Sequence, residues 1–283
     1  MSHSSHSADL DWDKLCAMLE LEADLHRPAL LEAAAWLPDE PAVGSVLDVG
    51  SGPGRMACLL AGRFPQAQVT AVDGSAELLA RARAHAADTA TADRLTTHRA
   101  DLPDGFAELA PADLVWSSRA VHHLGDQQAA VDALARLVNP GGTLALSEGG
   151  LSTRFLPRDT GLGRPGLQTR LDLVLEESFA VMRAELPGST AVVEDWPAML
   201  ARAGLTPSGT RSFLVDLPAP LGDEGREYVY KRLNRLAGPD GDTLDAEDRA
   251  AVARLLDRDD PQGLMRRPDV FYLTALTVHT ARA

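Results

Sequence analysis

Short apolar runs and amphipathic stretches alternate along the first half of the chain, and their periods predict its elements. Leu15, Met18, Leu19 and Leu25, then Leu30, Leu31 and Ala34, recur near a 3.6-residue period. Pro28 interrupts this series because it disfavours helical geometry at Arg27 and can itself open a helix, so two helices are expected, Leu10 to His26 and Pro28 to Leu37. Segments that read as strands follow at Val46–Val49, Gln68–Val72, Leu95–Arg99 and Asp113–Ser118, with helical patterns between them. A helix end, a Pro140-Gly141 turn and a fifth strand fill Leu137 to Leu146. Strands alternating with helices predict an α/β protein with a mostly parallel sheet.

The second half is less regular. Leu171, Val174, Leu175, Phe179 and Met182 form one apolar stripe at helical spacing, expected to be core. Asp195 caps a helix that has Pro197 in its first turn and ends at Gly204. Phe213, Val215 and Leu217 alternate as a sixth strand, Val270 to His279 reads as a long last strand, and Asp223 to Asp257 holds two amphipathic helices.

Chemistry enters at the first strand. Val46-Leu47-Asp48-Val49 passes into Gly50-Ser51-Gly52-Pro53-Gly54, a turn that lets a ligand approach the backbone. The spacing is GxGxG. A dinucleotide fingerprint needs a glycine at the sixth position, where Arg55 stands, and Asp48 would repel a pyrophosphate. Asp73, ending the second strand about twenty residues on, stands where a ribose-binding acid is expected, and Ser75 can cap the following helix in its place.

These residues, with Ala100-Asp101-Leu102-Pro103, the segment Arg119 to Leu124 after the fourth strand and the Pro-Gly turn before the fifth, resemble the class I S-adenosylmethionine-dependent methyltransferases across roughly residues 40 to 150. The resemblance implies a doubly wound, mostly parallel seven-stranded sheet with helices on both faces. It implies S-adenosylmethionine as cofactor, held by Asp48, Gly50, Ser51, Gly52 and Gly54 at the turn, Asp73 and Gly74 at the ribose, Asp101 and Leu102 at the adenine, and Ser117 and Ser118 at the fourth strand's end. It places His122 and His123 where substrate meets cofactor, with His123 the first choice as general base. Glu148, at the carboxyl end of the fifth strand, is a third catalytic candidate, and equally a helix cap. Trp12, His26 and Arg27 are candidate substrate-wall residues on the first helices, although such side chains more often pack or cap. Arg154, Arg158 and Arg164 could hold a substrate carboxylate or phosphate, although solvated surface is their default reading.

The expected organisation is a helical lid over 1–39, a cofactor-binding core over 40–150, a helical insertion over 151–207 capping the substrate, and the last strands with a further helical insertion over 208–283. That last insertion supplies another pocket wall or a surface for a homodimer.

Composition narrows the partners. The chain has 283 residues, 45% of them hydrophobic, and 27 basic against 41 acidic residues give a formal net charge of −14. Without a basic stripe, nucleic acid is disfavoured. No apolar run reaches membrane length and the start lacks a signal peptide's basic and apolar parts, so a cytoplasmic protein with no membrane partner is expected. Cys16 and Cys58 fall within helical patterns and read as small buried hydrophobes, so no metal site is assigned. The signatures of amino-group and nucleophilic-cysteine nucleobase methylases are missing. A small-molecule acceptor methylated at oxygen, nitrogen or carbon is expected, with a peptide or protein methyltransferase and a non-catalytic cofactor binder as rivals and an NAD-dependent oxidoreductase further off.

Overall fold

A computed structural model describes residues 12–39, 42–89, 91–236 and 244–283. The Ser/His-rich start and the expected helix start at Leu10 lie outside the described residues. The chain divides into two compact units.

The first unit comprises the described residues through Glu148, with Val192–Arg211 and Val278–Ala283. It opens with α1 (Trp12–Trp36), then runs β1 (Ser45–Val49), α2 (Arg55–Arg63), β2 (Gln68–Asp73), α3 (Ala76–Asp88), β3 (Leu95–Arg99), β4 (Ala112–Ser118), α4 (Gln127–Arg136) and β5 (Val138–Ser147). Two expected helices are here one: α1 runs through Pro28. Proline removes one backbone donor, but Cys16 and His26 before it and Ala29, Ala33 and Ala34 after it are all buried, and packing of one continuous face outweighs the lost bond.

The strand order in this unit is β3-β2-β1-β4-β5, every pair parallel, followed by β8 (Tyr272–Arg282), antiparallel to β5 through Thr143↔Arg282 to Ser147↔Val278. β7 (Thr206–Leu217) also pairs β8, and with β6 (Leu151–Arg154), another partner of β8, the sheet has eight strands, one more than expected. The Ser208 hydroxyl donates to Thr280 Oγ1 and Thr210 contacts His279, so β7 and β8 run in opposite directions. β1 is buried along four of its five residues, as a central parallel strand covered on both faces must be. Asp113 braces its start, accepting from the Gly44 and Ser45 amides and the Ser45 hydroxyl on one oxygen and from Asn139 on the other.

Two expectations need adjustment. Pro140-Gly141 lies within the bounds of β5, beside a register slip against β4 between Ala112 and Leu114, rather than in a turn ahead of it. The helix capped by Asp195, α6 (Trp196–Arg202), belongs to the first unit and not with the insertion. Trp196, Met199 and Leu200 are buried in the same core as Val131 and Leu134 of α4, which draws that segment back.

The second unit comprises Gly149–Ala191 and Ser212–Thr277. It holds β6 (Leu151–Arg154), paired antiparallel with the first half of β8, and α5 (Leu167–Glu185), α7 (Asp223–Leu236) and α8 (Ala246–Leu256). The buried Arg226 donates to the carbonyls of Leu221, Leu264 and Arg267, and Asp248 accepts from Arg170 through both its oxygens. The apolar stripe of α5 is core only at its start: Leu171 and Val174 are buried, Leu175 and Met182 are half-buried and Phe179 is exposed. Cys16 and Cys58 are buried free thiols. No helix among the described residues is long and apolar enough to cross a membrane.

Candidate active site

The carboxyl ends of β1, β2, β4 and β5 meet in the first unit, and the site is built from the turns that leave them. After β1 the backbone must reverse into α2 within five residues, and three glycines adopt the left-handed region to do so: Gly50 at φ 76°, Gly52 at φ 54° and Gly54 at φ 74°. They serve different ends. A Cβ at Gly50 would stand 2.5 Å from the Ala120 Cβ and one at Gly54 would stand 2.4 Å from that of Ala82, so these two let protein elements close on each other. A Cβ at Gly52 would meet nothing within 4 Å, so this glycine faces open space.

Carboxylates hold the turn. The Gly50 and Ser51 amides donate to the Val72 carbonyl at 2.9 Å each, and the Gly52 amide donates to Asp73 Oδ2 at 2.9 Å. The other Asp73 oxygen accepts from the Ser75 amide at 2.9 Å, while the Ser75 hydroxyl caps α3 by accepting from the Leu78 amide. Burial pushes the Asp73 carboxyl above the usual carboxylate range, its backbone donors oppose that, and the Asp101 charge adds to it. Asp101 Oδ1 lies 2.8 Å from where a Gly74 Cβ would stand, so only glycine fits beside it. Leu102 packs, partly buried, against the core.

Asp48 is 2% exposed and accepts from the Ala57 amide in the first turn of α2. Its Oδ2 is buried and has no hydrogen-bond partner. Burial, with a smaller contribution from Asp73, pushes its pKa up to about 7. Burying such an oxygen unsatisfied is costly, which marks it as a place for a donor. Ser117 is used internally, its buried hydroxyl donating to the Val49 carbonyl at 2.9 Å; Ser118, half-buried, is registered against Ser147 of β5.

Beyond β4 the chain turns sharply. Arg119 sits at φ 51°, an unfavourable geometry for a side chain other than glycine, costing of order 1–3 kcal/mol. It is pinned twice, by its amide donating to the Ser147 carbonyl at 2.9 Å and by its guanidinium donating to Glu22 of α1 at 2.8 Å. The bend delivers a short helical turn, Val121–His123. Glu148, 2% exposed, accepts the Val121 amide on Oε1 at 2.9 Å and contacts His122 Nδ1 through Oε2 at 2.7 Å. The Glu148 backbone bonds the ring of His279, whose Nδ1 contacts Thr210 at 3.1 Å; burial pushes that ring's pKa down. The carboxylate partner therefore goes to His122. His123 is exposed, its ring 4.2 Å from that of His122.

The substrate-side candidates are dispersed. On α1, Trp12 is half-buried and His26 is 4% exposed, while Arg27 is exposed and lines a cleft between α1 and α2. Arg154 and Arg158 belong to the second unit, where Arg154 pairs Asp172 at 3.2 Å and Arg158 is exposed. Arg164, in the same unit, pairs Asp245 and Asp248. Glu22 and Arg119 have no local sequence signal, since their pairing depends on where α1 lands.

Comparison with known proteins places the chain among methyltransferase-like sequences and folds. Residues 46–142 match a family model described as a methyltransferase domain. A trans-aconitate 2-methyltransferase of Azoarcus sp. is 32% identical over 199 residues, covering 70% of this chain and 64% of that relative. Another protein of that name, from Methylobacterium radiotolerans, is 29% identical over 92% of this chain and 96% of its own. An uncharacterized methyltransferase of Mycobacterium tuberculosis is 42% identical over 129 residues, and the chain spans 58% of its length. Among solved structures, a chain of the Haloferax volcanii complex containing the Trm112 methyltransferase activator is similar in fold, with a TM-score of 0.55, 19% identity and 96% of both chains covered.

Proposed function

We propose that the chain is a class I S-adenosylmethionine-dependent methyltransferase and that it transfers a methyl group from S-adenosylmethionine to a small organic acceptor, with His122 held by Glu148 as the base. The observation that supports the cofactor reading most is the orphaned, buried Asp48 Oδ2 below a glycine turn whose middle glycine opens to space. Asp48 and the Gly50–Gly52 backbone would hold the ammonium-bearing tail, Asp73 the ribose hydroxyls, and Asp101 with the Leu102 amide the adenine. The Asp73 oxygens accept from the Gly52 and Ser75 amides, with the Gly74 amide a further donor, and of a carboxylate's roughly four lone-pair sites this leaves room for a ribose hydroxyl. A bound S-adenosylmethionine supplies an electrophilic methyl on a sulfonium, which departs as a neutral thioether.

This chain's own residues supply alignment and proton handling. With Nδ1–H directed at Glu148 Oε2, His122 presents Nε2 as the acceptor for a proton from an acceptor hydroxyl, and Glu148 supports the imidazolium that results. Three fixed contacts on Glu148 and the strained Arg119 bend keep that ring in place.

The relatives' shared name supports a second reading of the acceptor, a carboxylate oxygen of a small organic acid. A carboxylate arrives deprotonated and needs no base; His122 then acts only as a neighbour of the acceptor. Label transfer from methyl-labelled S-adenosylmethionine to trans-aconitate and to a panel of small alcohols and phenols separates the two. Under the first reading a hydroxyl compound is labelled and His122→Ala lowers its kcat by roughly 10²–10⁴-fold. Under the second, trans-aconitate is labelled and the variant stays within about tenfold. Label appearing only on peptides contradicts both.

A further inference from the structure

α1 and α2 do not close on each other along their whole length. Between them lies a cleft of about 430 Å³ within the first unit. Its apolar wall is Ala23, Leu30, Leu31 and Ala34 from α1 with Cys58 and Leu59 from α2. These positions follow helical spacing and so share one side of each helix. The space exists because small residues stand where larger ones would fill it; a Cβ at Gly62 would meet nothing within 4 Å. The sheet-facing residues of α2, Met56, Ala57, Leu60 and Ala61, are buried and do not line the cleft, nor do Asp48, Gly50, Gly52 or Asp73. It is therefore distinct from the cofactor cradle.

Its polar lining carries a cationic excess in a chain whose net charge is −14. Arg27, Arg55 and Arg63 border it with one carboxylate, Asp24. Arg55 pairs Asp24 at 3.0 Å and Arg63 pairs Asp39 at 3.0 Å, outside the lining. Arg27 has no ionic partner among the described residues, and Arg55 Nε is buried with no hydrogen-bond acceptor. His85 meets Arg55 Nη1 at 2.7 Å and adds no negative charge. An apolar slot beside the unpaired, exposed Arg27 guanidinium fits a carboxylate on a short aliphatic body.

We propose that this cleft is a second binding site, separate from methyl transfer, for a small aliphatic carboxylate. Ligand-observed NMR with hexanoate tests it on the full chain saturated with S-adenosylhomocysteine, hexanol serving as the uncharged control. The expected result is saturable binding of hexanoate and not of hexanol, weakened about fivefold in Arg27→Gln, as for loss of one solvent-accessible ion pair. Binding is lost in Gly62→Leu, which fills the slot and raises helix propensity, so this variant is expected to stay folded. Three results overturn the proposal: no saturable hexanoate binding, equal binding of hexanol, or retention of full affinity in both folded variants.

Discussion

Asp48 stands two residues before Gly50, and its burial makes it titrate where a carboxylate ordinarily does not. Because its folded-state pKa is raised to about 7, the neutral form favours folding: this contribution is full below the unfolded value and is lost as pH rises toward 7. Binding of an ammonium-bearing cofactor has the opposite sign, since it needs the ionised form. Affinity for S-adenosylhomocysteine is expected to fall by up to about tenfold per pH unit below 7 and to level off above it. Asp48→Asn should flatten that profile in titrations at pH 5.5 to 8; an unchanged slope removes Asp48 from the cofactor's amino group. The left-handed glycine turn and the placing of Asp48 and Asp73 in and at the end of their strands were legible in sequence, because glycine at fixed offsets and an acid closing an apolar run have local physical causes. The His122–Glu148 contact was not, since 26 residues separate its members and only the pairing of β4 with β5 brings them together. Nor does any local rule announce that Arg119 adopts positive φ.

Among elements, the strands of the parallel sheet were read with small boundary changes, because buried strands are short apolar runs bounded by turns. α1 shows where a local rule yields to packing. Pro28 is exposed and inside the helix, so replacing it with alanine restores a backbone donor without opening a cavity. Pro28→Ala is expected to raise stability by about 1–3 kcal/mol, less the unfolded-chain entropy that proline withholds. A higher urea midpoint at unchanged slope is the result that agrees; a lower midpoint shows that the native helix depends on the ring. α5 errs the other way. Its stripe has a core period along its whole length, but the sequence cannot say where the neighbouring layer stops, and Phe179 lies exposed beyond it.

At the scale of the molecule, the mostly parallel α/β core followed from the alternation of elements and its strand count, one short of the eight observed, from the family resemblance, whereas the partition into two units did not. Val192–Arg211 rejoins the first unit through Trp196, Met199 and Leu200, contacts far apart in sequence. The acceptor side remains the least legible part, because arginines such as Arg154 and Arg164 are committed to acids within the second unit rather than standing ready as anion ligands. The proposed cofactor site rests on Asp73, which braces Gly52 and in that proposal accepts from a ribose hydroxyl. Calorimetric titration of S-adenosylhomocysteine into the full chain and into Asp73→Ala, with near-ultraviolet circular dichroism confirming the fold of each, tests that claim most directly. One site per chain is expected, weakened in the variant by roughly 1.5–3 kcal/mol, the worth of a hydrogen bond to a charged group. Absence of binding by the folded chain, or equal affinity in the variant, contradicts it.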